Sequence, residues 1–548
     1  MPGDRSDFAA ALIERGRRTP ERLAFGFGDA RLSYGELLDD ASRIAAGLAA
    51  RGLEPRDRIA LLLPAGFDFV RGFAAVVLAG GVPYAIPPEL APTTAMARAA
   101  RGRPRLALAL AGHSAALADA QEKALGRTAA HPLPPFPILA LEPLAASVRG
   151  EVGLPDPVAV DPEDPAVLQL TSGTTGEPRF AILSHRALAA WRRSHGPALF
   201  APGEVLAGWV PPWHVMGLVR FVILPVVCGV EAHLVTPAVR TLGTWLETAA
   251  RVRATLTSAP DFALRTALRL VGSQALDLSS LRRVFVGGEA VRASTVRAFE
   301  ARFDLPGILL PAYGLAEATL AVTCARPGEP LAVDAAGNVS CGRPLPGVTL
   351  RILDEQGAEQ PAGEPGEIHI RSESLFSGYF DSVVDPASVP RGHHGLPAGA
   401  ELATGDWGRL GPGGELYVIG RRRNLIKHGG ATYAPRELEE AAEQVDGVGA
   451  AAAITLARPG VEGPVLVVVV EATPALRGQP EDLAHAAALA VRRAVGLLPG
   501  EVIVVTPGTL PRTDSTKLRH AELRRRLAAA EISPGSLLAG RVDGWVAG

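Results

Sequence analysis

The sequence predicts an α/β protein of two unequal parts, and three observations carry that reading. Short apolar runs alternate with amphipathic helical segments from the N-terminus to roughly residue 310. The runs are apolar throughout rather than at every second position, as in strands of a parallel sheet covered on both faces. After roughly residue 335 the pattern changes to short strands between turns, which reads as antiparallel, and beyond residue 421 lies a compact α+β segment. The expected division is a large domain over 1–420, with parallel α/β subdomains and a small antiparallel β region, and a small domain over 421–548. A chain of 548 residues exceeds what one core supports.

Taken in order, Ser33 precedes a segment running to Gly52 with apolar residues at helical spacing and Glu36 three residues after the Ser, a helix start. Arg58–Pro64 reads as a buried strand, Phe67–Ala79 as a helix and Val82–Pro88 as the next strand. Leu106–Ala111, Pro137–Leu141 and Arg282–Val286 continue the series. Val348–Asp354, Gly366–Arg371 and Glu415–Gly420 are the short strands of the antiparallel region. The final segment has a helix over Pro435–Val445, strands at Ala450–Thr455 and Pro464–Glu471, and a helix around Ala484–Val495. A strand at Glu501–Val505 and a basic helix near Leu518–Ala529 complete it.

Composition narrows the function classes. The formal charge is −2, from 55 basic and 57 acidic side chains, so no nucleic-acid footprint is expected. Cys228, Cys324 and Cys341 lack the spacing of a disulfide framework or a CxxC metal site, which fits a reducing compartment. Met1–Asp7 is too charged for a secretory leader, and the most apolar stretch, Phe221–Val230, is too short to span a bilayer. The expected location is the cytoplasm.

The densest chemistry lies at 166–178. An apolar run, Ala166–Leu170, leads into Thr171-Ser172-Gly173-Thr174-Thr175-Gly176, then Glu177 and Pro178. Glycines let successive N–H groups converge on an anion, and the hydroxyls add neutral donors, so the string suits a polyphosphate. It is not a Walker loop, which needs Lys directly after the second glycine. The competing reading is a hydroxyl-rich surface loop.

This string resembles the phosphate loop of the adenylate-forming superfamily, which includes acyl-CoA synthetases, fatty acyl-AMP ligases, luciferases and peptide-synthetase adenylation domains. Further segments resemble that superfamily in its own order. Tyr313-Gly314-Leu315-Ala316-Glu317 puts an aromatic ring, a glycine turn and a carboxylate together: Tyr313 can stack on adenine and Glu317 can hold Mg²⁺ against phosphate oxygens. Most members have Thr where Ala316 stands. The resemblance also places Gly288, Glu289 and Ala290 against ATP. It makes Asp406, after the Gly405 turn, the ribose-binding carboxylate and Arg421 a second ribose contact. Arg423 and Asn424 fall at the interdomain hinge, where the family has Lys or Asp followed by an acid. Lys517 stands in a matching catalytic-lysine loop and would meet charge developing on the α-phosphate and departing pyrophosphate. Trp213, His214 and Met216, with Asp261 and Phe262, are the implied substrate pocket, His214 positioning or gating the acid.

The resemblance therefore implies that a carboxylic acid attacks the α-phosphate of Mg·ATP, giving an acyl-adenylate, and that a thiol then takes the acyl group while a mobile C-terminal domain rotates. Tyr313–Thr319, Ser340–Gly347 and Ser258–Ala263 lean towards fatty acyl-AMP ligases, which favours the phosphopantetheine thiol of an acyl carrier protein acting in trans. Those ligases have Asn at Asp261, tend to have Asp at Val215, and carry an insertion for which the interval Leu320–Ser340 is too short. Free CoA is the alternative acceptor. A stand-alone amino-acid or aryl-acid adenylation enzyme is a further alternative, although Pro211–Gly217 contains no acid to hold an ammonium group and only Asp261 could serve a polar substrate. A nucleotide-binding sensor would not need Lys517. Arg519, Arg524, Arg525 and Arg526 offer a basic face for an acidic carrier helix.

Overall fold

The strands of the first part form two parallel layers, as continuous apolar runs require. In the computed structural model the described residues are 8–125, 134–146, 160–171, 179–199, 203–335, 337–380, 399–428, 431–461, 463–474, 476, 479–513 and 518–546. The larger layer runs Leu23–Phe27, Glu231–Leu234, Val205–Gly208, Leu256–Ala259, Arg283–Val286 and Leu309–Gly314, each parallel to its neighbour. Antiparallel strands close its edges, Ala30–Ser33 on one side and Ala321–Cys324 with Arg343–Pro344 on the other. The second layer is all parallel, in the order Val82–Ala85, Arg58–Leu62, Leu106–Ala109, Ile138–Ala140. The helix expected after Ser33 spans Tyr34–Ala49, and Ser33 and Glu36 form a reciprocal capping box. Such a cap stabilises a helix by about 1 kcal/mol.

Two departures from the sequence reading matter for the site. The strand leading into the phosphate-type loop, Pro165–Thr171, pairs antiparallel with Arg179–Ser184, inside a region read as parallel α/β. Tyr379–Phe380 adds a third strand to that hairpin. The region read as a turn around Gly405 is instead the strand Glu401–Leu410, inside an antiparallel sheet with Val348–Leu353, Gly366–Ser372 and Leu416–Arg421. Its pairing with Gly366–Ser372 shifts register between Glu367 and His369, and Gly405 takes a left-handed φ of 72°. A bulge of this kind re-aims the next side chain. The glycine that looks like a turn in sequence is thus the bend that aims Asp406.

The last part has its own core. Val448–Leu456, Val465–Ala472, Glu501–Val505 and Leu537–Ala539 form a sheet buried on both faces. Val468 and Val470 pack with Leu438 and Ala442, whereas Val467 and Val469 pack with Leu523, Leu527 and Trp545. This two-residue alternation explains why Val465–Ala472 carries no polar side. The helix Pro435–Glu443 buries Leu438, Ala441 and Ala442 on one stripe and leaves Arg436 and Glu440 on another. The strand Leu537–Ala539 and the hairpin Ile426–His428/Ala431–Tyr433 were not foreseen. No helix among the described residues is long and apolar enough to cross a membrane.

Candidate active site

The site forms where the parallel strands end and the antiparallel sheet meets them. Tyr313 sits at the end of Leu309–Gly314, which turns back into Ala321–Cys324. Gly314 is obligatory at that bend, because a Cβ there would lie 1.8 Å from the carbonyl oxygen of Leu320. The chain then makes a single turn over Ala316–Ala318 that carries Glu317. Asp406 and Arg421 are register partners on neighbouring strands. Their side chains pair at 2.9 Å, and Arg421 also donates to the carbonyl of Thr404 at 3.1 Å. The Tyr313 hydroxyl donates to the other Asp406 oxygen at 2.7 Å. Tyr313, Asp406 and Arg421, far apart in sequence, are therefore one hydrogen-bonded cluster. Burial, with the Asp406 carboxylate adding to it, raises the Tyr313 hydroxyl well above the usual tyrosine range, so it stays a donor. The Tyr313 ring packs among Val322, Leu350 and Ile368, so in this structure its work is to hold Asp406.

Glu317 has a partner that sequence reading missed. The Tyr379 hydroxyl donates to its Oε1 at 2.5 Å. The Arg179 guanidinium lies 3.7 Å above the Tyr379 ring centre, a cation–π contact. Tyr379 thus joins the carboxylate at Glu317 to the residue that directly follows 172–178. Only the third strand of the hairpin brings them together, and nothing local in the sequence marks it. Tyr379→Phe keeps the ring under Arg179 and removes the donor to Glu317. If Glu317 holds Mg²⁺ as the resemblance implies, the change should raise the Mg²⁺ concentration needed for half-maximal activity about tenfold, the scale of a lost partner to a metal-holding carboxylate, and leave AMP affinity unchanged. Titrating activity with Mg²⁺ checks this.

The second wall comes from loops at strand ends. Gly288 follows Arg283–Val286 with φ +85°, and a Cβ there would meet the Met216 methyl at 3.7 Å, so the segments holding Gly288 and Met216 adjoin. The Glu289 carboxylate accepts the Phe262 N–H at 2.6 Å. His214 caps the short helix Val215–Leu218. The Trp213 carbonyl accepts from Gln169 at 2.9 Å, which ties this loop to the strand that feeds 172–178.

Several expected roles need correction. Asp261 is 1% exposed and does not face a pocket. Its oxygens accept from Arg265 at 2.9 Å and from the Arg292 N–H at 3.0 Å, so both are engaged by the chain's own groups. Trp213 is buried in the apolar core rather than forming an open pocket wall. The Thr171 hydroxyl donates to the Arg179 carbonyl at 3.1 Å and closes the base of the hairpin. Arg422 pairs with Glu367 at 2.8 Å. In the basic face expected to meet a carrier, Arg525 pairs with Glu522 and Glu531, and Arg526 pairs with Glu522. Arg423 and Asn424 form a short turn directly after Leu416–Arg421. Burial lowers the Arg423 pKa, and Arg421 and Arg524 lower it further. Ser172, Gly173, Thr174, Thr175, Gly176 and Lys517 lie outside the described residues.

The profile of the family described as AMP-binding enzyme matches residues 12–380, which contain the hairpin, Gly288–Ala290, Tyr313, Glu317 and Tyr379. The chain belongs to the AMP-binding enzyme family. Among relatives of this AMP-binding enzyme, the long-chain-fatty-acid–AMP ligase FadD26 of Mycobacterium marinum is 27% identical, over 95% of this chain and 97% of its own. The 4-hydroxyphenylalkanoate adenylyltransferase of Mycobacterium tuberculosis is 28% identical, over 87% of this chain and 83% of its own. A structure from work on fatty acyl-adenylate ligases of E. coli and L. pneumophila superposes with a TM-score of 0.79 and 26% identity, covering 96% of this chain and 98% of that one. The fold is that of an adenylate-forming ligase, and ATP is its nucleotide.

Proposed function

We propose that this chain activates a fatty or other acyl carboxylic acid as its acyl-adenylate, with release of pyrophosphate, and passes the acyl group to the phosphopantetheine thiol of a carrier protein acting in trans. The observation that carries the first step is the Tyr313–Asp406–Arg421 cluster, with Glu317 held by Tyr379, whose ring lies under Arg179. Asp406 is a buried carboxylate whose neighbours already fix its oxygens, which suits a pair of ribose hydroxyls. Glu317 fits Mg²⁺, an ion usually held by one or two carboxylates together with substrate phosphates. When bound, the ion would neutralise charge on the phosphates. The chain's own part is to hold the nucleotide through Asp406 and Arg421, to seat the phosphates between 172–178 and Glu317, and to present Lys517 to the reacting phosphate. We place the domain division at 421, where the last strand of the antiparallel sheet ends and Arg423–Asn424 begins the hinge.

The acyl-AMP ligase relatives, together with the Tyr313–Thr319 and Ser340–Gly347 strings, favour a carrier protein as acceptor. The short interval Leu320–Ser340 favours free CoA. Pyrophosphate exchange with a panel of carboxylic acids tests the adenylation step. Acyl transfer to holo carrier protein and to CoA, side by side, tests the acceptor. Transfer to the carrier should exceed transfer to CoA. Since Arg525 and Arg526 are paired with Glu522 and Glu531, that preference should change little between 0.1 and 1 M salt, where the screening length falls from about 10 Å to about 3 Å. Acylation of CoA with none of the carrier overturns the acceptor and leaves the adenylation chemistry standing.

A further inference from the structure

The segment that follows Gly288–Ala290 does more than approach the nucleotide. Arg292 reaches across to the helix Pro435–Glu443, where its Nη1 lies 2.7 Å from Glu443 and its Nε 3.4 Å from Glu440. From the other side, Arg436 pairs with the same Glu440 at 2.7 Å and donates to the Val291 carbonyl at 3.1 Å. Two arginines, one from each part of the chain, thus share one carboxylate. On its own side Arg292 is fixed. Its N–H is held by the buried Asp261 at 3.0 Å, and its guanidinium lies 3.9 Å from that carboxylate. The next residue, Phe262, is bonded to Glu289. One connected set of contacts therefore runs from the head of the helix Asp261–Val271, through the Gly288–Ala290 segment, to the C-terminal part.

We propose that Arg292 is a positioning residue that latches the C-terminal domain in this orientation and so sets the balance between the two half-reactions. The inference rests on the two-step ligase reading above. The geometry suits a latch rather than a permanent joint. The anchor, Asp261, is 1% exposed and stays with the large domain. The contacts to Glu440 and Glu443 are partly exposed and lie beside a cleft of about 390 Å³ bordered by Asn338, Tyr433, Arg436 and Glu440. Such ion pairs are modest in net strength and screened by salt, so the interface can open and re-form without unfolding either part. Asp261, which sequence reading assigns to the substrate, would act on the reaction only through Arg292.

The test compares Arg292→Ala, Glu440→Gln/Glu443→Gln and their combination. Pyrophosphate exchange reads the first half-reaction, and thioester formation from supplied acyl-adenylate reads the second. A spin-label distance between cysteines placed at the exposed Val239 and Leu498, in a Cys228→Ser/Cys341→Ser chain, reads domain orientation directly. Arg292→Ala should shift the ratio of the two half-reaction rates about tenfold, within the usual span of coupling between sites, and broaden the distance distribution. It should add little in the Glu440→Gln/Glu443→Gln background, as expected for residues acting through one another. Full additivity, or equal loss in both half-reactions with an unchanged distance, overturns the latch. A wild-type chain inactive in both half-reactions would sink the ligase reading instead, and the distance change on Arg292→Ala would still decide the latch.

Discussion

Lys517→Ala should lower acyl-adenylate formation about 10²–10³-fold, with ATP affinity nearly intact. One charge contact in a closed site contributes about 3–4 kcal/mol to the transition state when it is aimed at developing rather than existing charge. The contacts flanking 514–517 show why the loop could present one cation reproducibly. Arg512 and Leu518 form an antiparallel bridge at its base, and the Arg519 N–H donates to the Pro511 carbonyl at 2.8 Å. Buried carboxylates hold both flanks: Glu471 accepts from the Leu510 N–H at 2.7 Å, and Glu439 pairs with His520 at 2.6 Å. Because the loop's anchors do not depend on the Lys517 side chain, the mutant should fold normally. Thioester formation from supplied acyl-adenylate should survive, since that step forms no bond at the α-phosphate. Single-turnover adenylation and thiolation, measured separately, check both halves. Adenylation at the wild-type rate would mean that another group meets the charge.

The parallel layers were legible because a strand buried on both faces is apolar along its length, as residues 59–62 and Leu106–Ala109 are. The helix after Ser33 was legible from its cap. The strand Glu401–Leu410 was not, because Thr404-Gly405-Asp406 looks like a turn while Gly405 serves a bulge inside a paired strand. Candidate residues with a local signature, such as Tyr313, Glu317, Asp406 and Arg421, could be named from sequence. The partner of Glu317 could not. Tyr379 reaches Glu317 across 62 positions, and Asp261 carries the right chemistry for a substrate contact but spends it on Arg265 and Arg292. A carboxylate in a sequence reports what it can bind, and only packing decides which cation reaches it first.

Asp406→Ala and Glu317→Ala should fail in different ways. Asp406 pairs with Arg421 and accepts from Tyr313, and in the proposed complex it would meet ribose. Its loss should weaken ATP and AMP alike, about 10–100-fold, since a hydrogen bond to a charged group is worth about 1.5–3 kcal/mol. The truncation also strands the Tyr313 hydroxyl and leaves Arg421 without its carboxylate, so the mutant should lose about 1–3 kcal/mol of stability. Asp406→Asn separates these effects: it keeps an acceptor for Tyr313 and regains part of the stability while still losing charge. In the proposed complex Glu317 lies on the phosphate side, and the Tyr379 hydroxyl donates to it at 2.5 Å. Glu317→Ala should spare AMP, which needs no metal to bind, and lower turnover with ATP about 10²–10³-fold, the scale of losing a group that stabilises transition-state charge. Raising Mg²⁺ should recover part of that loss in Glu317→Ala and none of it in Asp406→Ala. Titrations of both mutants with AMP, and with ATP at several Mg²⁺ concentrations, give the four curves required. If the two mutants trace the same curves, the ribose and metal assignments collapse into one, and the cluster around Tyr313 has only a structural part.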